Sequence, residues 1–122
     1  MGAQGNICIM DLDNKKYKYI YTHYLGDELP ILLKRALSQT RGYWDDWSYL
    51  IAAIGYEILR RAEYTSSGFG LAEYPFNTSQ EIIFIDINNW IITIGSHSLS
   101  FGEYIEQDDN FLKSLVLSEK VS

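Results

Sequence analysis

The stretch YKYIYTHYLGDELPILLKRAL, residues 17–37, decides the fold, because the spacing of its apolar side chains changes halfway along it. Successive side chains of a strand point to opposite faces. The first half is predicted to be a strand with one aromatic face, made of Tyr17, Tyr19, Tyr21 and His23. From Leu29 the apolar residues recur at helical spacing, and either Asp27 or Glu28 is placed to cap that helix. The stretch therefore predicts a strand that leads directly into a helix.

Three neighbouring segments extend this pattern. The apolar run at 6–12 predicts a buried strand that forms a hairpin with the strand at 17–23. Residues 45–62 predict the longest helix, with Asp45 or Asp46 at its start. The buried stripe of that helix is predicted to be Trp47, Leu50, Ile51, Ile54 and Ile58. The helix therefore has a well-defined core face.

The last third of the chain combines strand and helix signals. Residues 81–94 predict a hairpin whose turn, Asn88 and Asn89, tolerates positive φ. Ser100 and Glu103 match a capping box, which predicts a short helix or a last strand after it. The run at 111–117 predicts a short helical tail.

These elements follow the order ββααβββ, with a helical tail at the C-terminus. We therefore expect a single α+β domain over residues 1–122. It has an antiparallel sheet of about five strands, with two main helices packed on one face. A dimer through the free edge of the early hairpin is one expected consequence of that arrangement.

Composition limits the partners. The formal charge of −6 argues against binding duplex nucleic acid, which requires clustered lysine and arginine. The single cysteine, Cys8, excludes an internal disulfide and favours the cytoplasm. No apolar run approaches the roughly 18 residues of a membrane span. With two histidines and no cysteine pair, the sequence predicts neither a metal site nor a cofactor.

His23 lies close in sequence to Asp27 and Glu28. A histidine beside a carboxylate is suited to act as a base or as a hydrogen-bond donor to a ligand. The alternative is a strand-end histidine whose partner is simply the start of the next helix. Sequence proximity alone leaves both interpretations open.

Two further segments carry candidate binding residues. Trp44 follows Arg41 closely, and a tryptophan beside an arginine suits a stacking platform or a protein hot spot, although it also suits a hydrophobic staple at a helix start. Phe69 and Gly70 lie in a glycine-rich segment, which is either a lid over a planar ligand or a plain connector. We therefore expect one pocket that unites His23, Asp27, Arg41, Trp44 and Phe69.

The segments MGAQGNI, YTHYLGDELP and RGYWDDWSYLIAAI resemble a family of small bacterial and phage proteins. That family opens with Met-Gly-x-Arg-Gly-Asn-Ile and continues with Tyr-x-His-Trp-x-Gly-Tyr-x-Leu-Pro. Its pattern has arginine where this chain has Gln4 and tryptophan where it has Tyr24. The candidate residues also include Tyr24, at the position where the family has tryptophan, and Gly70, which falls on a glycine position of the family. The resemblance implies a bacterial or phage setting without implying a reaction.

The function expected from these features is non-enzymatic binding. The most concrete version is a phage or prophage antagonist of bacterial defence, which sequesters an anionic or nucleotide-like small molecule or blocks a host protein. One alternative is a small hydrolase or transferase that uses His23 with Asp27 or Glu28. Another is a purely structural oligomerising module.

Overall fold

The computed structural model describes residues 4–22, 25–62, 70–75 and 80–117. Within these ranges the chain forms a six-stranded sheet with the strand order β3-β2-β1-β4-β5-β6. The strands are β1 (Gly5–Asp11), β2 (Lys16–Thr22), β3 (Gly70–Ala72), β4 (Ile83–Asp86), β5 (Ile91–Ile94) and β6 (His97–Ser100). The helices described are α1 (Leu29–Gln39), α2 (Trp47–Ala62), α3 (Phe101–Ile105) and α4 (Asp109–Leu117). The α+β class is confirmed.

The sheet is mixed, so the prediction of an antiparallel sheet of about five strands is wrong in detail. β1 and β4 run parallel, with Ile7 opposite Ile83, while the other strand pairs are antiparallel. A parallel pair needs a long crossover, which here includes α1 and α2. β3 and β6 have three and four residues, too short to show a periodic pattern. β6 begins at His97, directly after the turn at 95–96.

The helices pack on one face of the sheet, as predicted. That face carries the cross-strand row Ile20, Ile7, Ile83 and Ile94, which is buried with the apolar faces of the helices. With 16 residues, α2 is the longest helix described, and Leu50, Ile54 and Ile58 are fully buried. The predicted stripe of the helix is thus confirmed at its centre, while Trp47 and Ile51 are half-buried.

Of the three helix caps predicted from the sequence, two are present in the structure. The Asp46 carboxylate accepts a hydrogen bond from the Tyr49 amide at 3.0 Å, and Ser100 and Glu103 form the predicted capping box. Helix α1 has no side-chain cap. Asp27 lies instead in the 3₁₀ turn Gly26–Glu28, where its carboxylate accepts a hydrogen bond from the Gln80 amide. Asp27 therefore bonds Gln80, which is distant in sequence, instead of capping α1.

The early hairpin does not offer the free edge that was expected. β3 pairs with residues 19–21 of β2, so this part of the strand is inside the sheet. On the sheet face away from the helices, Tyr19 lies opposite Cys8. Cys8 is fully buried, and burial raises the pKa of its thiol. Cys8 is therefore a core residue of β1, the strand that the sequence predicted to be buried.

Candidate functional site

One cleft brings together two of the predicted binding residues, Arg41 and Trp44. It has a volume of about 390 Å³ and lies between the α1–α2 loop, the β4–β5 turn and α3. We call it the Trp44–Trp90 cleft, and it is lined by Arg41, Gly42, Trp44, Trp90, Gly102, Ile105 and Glu106. Aromatic, apolar and oppositely charged side chains all border it.

Trp44 forms a fixed wall of this cleft. Its indole N–H donates to the Leu37 carbonyl at 2.9 Å, which satisfies a carbonyl in the last turn of α1. Its ring meets Phe101 edge to face, with 5.3 Å between centroids and 80° between planes. The half-buried indole therefore has a structural role, and its N–H is already occupied.

Trp90 supplies the exposed ring, and sequence reasoning missed it. Its side chain is 44% exposed, and its ring centroid lies 5.5 Å from that of Trp44. Its backbone is left-handed, with φ 58°, which is an outlier for a bulky residue. In the next hairpin turn the residue with the same φ is Gly95, the residue type that this conformation favours. Asn88 and Asn89 lie in the predicted turn, but the positive φ that they could tolerate is adopted by Trp90 instead.

Hydrogen bonds before and after Trp90 hold its backbone in this conformation. The Asp86 carboxylate accepts hydrogen bonds from the amides of Asn88 and Asn89 at 3.0 and 3.1 Å. After the turn, the Phe101 amide donates to the Trp90 carbonyl at 2.8 Å. A left-handed residue of this type costs of order 1–3 kcal/mol, and it persists only where surrounding structure enforces it. Such strain is typical of binding sites.

Arg41 places a positive charge at the same cleft. It follows Thr40, whose hydroxyl donates to the Ala36 carbonyl at 2.8 Å and ends α1. Gly42 then turns the chain with φ +92°. The Arg41 side chain is exposed, and within the described part of the chain no carboxylate lies within ion-pair distance of its guanidinium. The guanidinium is thus available to an anion.

The structure does not unite all the predicted site residues. Asp27 precedes α1 and Arg41 follows it, so an 11-residue helix, roughly 16 Å long, separates them. The expectation of a single pocket containing Asp27, Arg41 and Trp44 is therefore wrong. His23, Tyr24 and Phe69 lie outside the described residues, so their part in binding stays a prediction.

Two glycines, Gly26 and the candidate binding residue Gly70, have a packing role. A Cβ on Gly26 would lie 2.6 Å from the Gln80 side-chain oxygen and 2.7 Å from the Gln4 carbonyl. A Cβ on Gly70 would lie 2.5 Å from the ring of Tyr21, its cross-strand partner. Both positions need glycine because neighbouring atoms occupy the space, so neither glycine is by itself evidence of a ligand.

A second cleft is larger and more positively charged, but the tryptophan that lines it, Trp47, is half-buried. It has a volume of about 500 Å³ and is lined by Lys15, Lys16, Tyr17, Lys18, Trp47 and Glu73. Lys18 pairs with Glu73 at 3.0 Å, and Lys16 lies opposite Asp11 in the β1–β2 ladder. These carboxylates offset only part of the positive charge, so the second cleft is the more basic of the two. The Trp44–Trp90 cleft is the stronger candidate for a ligand with both a ring and an anionic group, because it combines a guanidinium with the exposed, left-handed Trp90.

Three wider observations complete the description. The described residues contain no group of three or more histidine, cysteine or carboxylate side chains placed to hold a metal ion. Within the same residues, no helix has the length and apolar character needed to span a membrane. Comparison of the chain with family models, with curated proteins and with solved structures finds no match.

Proposed function

We propose that this protein is a non-enzymatic binding protein that holds an anionic, nucleotide-like small molecule in the Trp44–Trp90 cleft. The observation that carries the proposal is the strained, exposed Trp90. A bulky aromatic side chain at a left-handed turn position lowers stability unless it contributes something else. Here its ring lies at a cleft that also carries a free guanidinium.

The chemistry of the cleft matches the parts of a nucleotide. The Trp90 indole offers a flat surface on which a base can stack, which is worth about 1–3 kcal/mol per base. The Arg41 guanidinium offers parallel N–H donors to a phosphate. Glu106, at the same cleft, can accept a hydrogen bond from an exocyclic amino group. Stacking and charge pairing require no proton transfer, so we expect binding without turnover.

The biological setting in this proposal is the bacterial cytoplasm. A phage or prophage antagonist of host defence would act there by sequestering a nucleotide-like signal or by blocking a host protein. The single cysteine, which is buried and free, is in keeping with that compartment. The resemblance to bacterial and phage proteins is a second support.

A catalytic alternative is a hydrolase or transferase that uses His23 with Asp27 or Glu28. In its favour, Gln80 holds the Asp27 carboxylate in place by a hydrogen bond. In this case the nucleotide would be converted and His23→Ala would retain binding but lose conversion. The remaining alternative is a structural module that only forms oligomers, such as a homodimer.

The proposal is tested by native mass spectrometry of the protein purified from a bacterial lysate, in wild-type form and as Trp90→Gly. We expect an added mass of a few hundred daltons on the wild type that is reduced or lost in the variant. An identical added mass on both proteins would contradict binding in this cleft. Chromatography of the released molecule then separates retention of an intact ligand from release of a reaction product.

A further inference from the structure

The outer face of α2 is largely apolar, with Ser48 and Arg60 as the exposed polar residues among its described side chains, which is unusual for a helix on the surface of a domain. Its inner face is buried in the core through Leu50, Ile54 and Ile58. Its outer face carries Tyr49, Tyr56 and Leu59, which are 47%, 56% and 53% exposed, together with exposed Ala52. Helix α1, by contrast, exposes Arg35, Ser38 and Gln39. A helix that is apolar on both faces is normally buried on both.

The spacing of these outer residues is that of a helix-pairing surface. Positions 49, 52, 56 and 59 alternate steps of three and four, as the a and d positions of a coiled coil do. The Tyr43 ring extends the surface, because it meets the Tyr49 ring edge to face at 5.2 Å. We call Tyr49, Ala52, Tyr56 and Leu59 the α2 seam. Its composition, rich in tyrosine, is typical of protein interfaces.

We propose that the α2 seam pairs with the α2 seam of a second copy of this chain, with the two helices antiparallel about a two-fold axis. Antiparallel pairing about the middle of the seam places Ala52 opposite the partner's Tyr56, so a large side chain faces a small one. It also places Tyr49 opposite the partner's Leu59. Parallel pairing would instead face Ala52 with Ala52 and leave a gap, which costs packing energy.

Charge at the two ends of α2 favours the same orientation. Arg60 is exposed near the C-terminal end, where its guanidinium lies 3.4 Å from the buried Glu57 carboxylate and 5.8 Å from the centre of the Tyr56 ring. Asp45 and Asp46 are exposed at the N-terminal end. Antiparallel helices bring each acidic end to the partner's basic end, whereas parallel helices would bring like charges together. A two-fold axis makes both contacts at once.

The α2 seam supplies a surface for a homodimer, and pairing there does not depend on ligand binding. It also replaces the early-hairpin edge as the expected contact, because β3 occupies that edge. The Trp44–Trp90 cleft is lined by none of the seam residues. A dimer through α2 therefore leaves the lining of the cleft unchanged.

Sedimentation velocity of the purified full chain, from about 1 µM to about 1 mM, tests the proposal over the range of weak to moderate affinities. We expect a reversible shift from monomer to dimer. Tyr56→Glu should raise the dissociation constant by at least about 30-fold, the effect of losing a hot-spot residue. Tyr74→Glu is the matched control, since Tyr74 is exposed outside the seam and should leave it unchanged. Circular dichroism should show that both variants fold.

Orientation is tested by disulfide trapping with Ala52→Cys and Tyr56→Cys variants, each made in a Cys8→Ser background. Under mild oxidation, a mixture of the two variants should form the 52–56 heterodimer in preference to either homodimer. Preferential 52–52 trapping would contradict the antiparallel arrangement. A wild type that stays monomeric at about 1 mM, or a dimer that Tyr56→Glu does not weaken, would overturn the proposal. In the monomeric case, seam-dependent capture of a different protein would assign the surface to that partner instead.

Discussion

The rings of Trp44 and Trp90 meet edge to face, with 5.5 Å between their centroids and 85° between their planes. The two residues reach this contact differently. Trp44 is anchored through its indole N–H to the last turn of α1, whereas Trp90 is held by a left-handed backbone at the end of a turn. The Trp44 ring is therefore a fixed wall of the cleft, whereas the Trp90 ring is exposed. The proposed binding function depends on Trp90.

Two replacements at Trp90 should separate the cost of its left-handed backbone from the effect of losing its ring. Trp90→Gly and Trp90→Ala both remove the ring, but only glycine adopts φ 58° without steric cost. We expect Trp90→Gly to be more stable than Trp90→Ala by about 1 kcal/mol in urea unfolding. At Thr93, inside β5, the order should reverse, because glycine weakens a strand interior. Equal stabilities at position 90 would contradict backbone strain.

Truncation of Ile54 should measure how much a core side chain between α2 and the sheet stabilises the protein. Ile54 is fully buried, so Ile54→Ala should lower the free energy of unfolding by about 2–5 kcal/mol. Leu71→Ala is the control, since Leu71 is about half exposed at the edge of the sheet. Urea unfolding of both variants gives the comparison. A loss below about 0.5 kcal/mol for Ile54→Ala would show that this side chain is not in the core.

Features that depend on residues close together in sequence were predicted correctly, whereas features that depend on residues far apart in sequence were not. The stripe of α2, the Asp46 cap and the Ser100–Glu103 capping box depend on residues a few positions apart, and each was predictable. The parallel pairing of β1 with β4 depends on the path of the chain through two helices. Asp27 is engaged by Gln80, which is 53 positions away, so its failure to cap α1 could not be foreseen.

The candidate site shows the same division. Arg41 and Trp44 were identified because they lie close together in a loop before a helix. Trp90 was missed because an Asn-Asn turn normally places its own residues at positive φ, and nothing local indicates that the next residue takes it. A tryptophan directly after a tight turn is the one signal that was present. Asp27 was grouped with Arg41 although α1 separates them.

The hydroxyl of Tyr104 should contribute to stability through one hydrogen bond. It donates to the Pro30 carbonyl at 2.7 Å in the buried contact between α3 and α1. Tyr104→Phe should cost about 0.5–1.5 kcal/mol, whereas Tyr74→Phe, at an exposed position, should cost little. Urea unfolding at neutral pH measures both. A Tyr104→Phe protein as stable as the wild type would show that the bond adds nothing.

Tyr104 also predicts a loss of stability in alkali. Burial raises the pKa of its hydroxyl above the ordinary value near 10, so the unfolded chain loses this proton more readily than the folded one. The contribution of the Tyr104 hydroxyl to the free energy of unfolding is therefore fully present below about pH 10 and declines as the pH rises beyond that value. Tyr104→Phe should make the decline in unfolding free energy above pH 10 less steep. An unchanged slope would argue against a raised pKa.

The central claim is most directly tested by calorimetric titration of the four ribonucleoside 5′-monophosphates into wild type, Trp90→Gly, Arg41→Ala and the control Arg35→Ala. Parallel titrations use the nucleosides and inorganic phosphate. We expect at least one nucleotide to bind more tightly than its nucleoside or phosphate alone. Arg41→Ala should weaken that binding by about 1.5–3 kcal/mol, the worth of a charge-assisted hydrogen bond. Trp90→Gly should weaken it by about 1–3 kcal/mol, and Arg35→Ala should leave it unchanged. No binding of any nucleotide to the wild type, or binding that neither Trp90→Gly nor Arg41→Ala alters, would contradict the account.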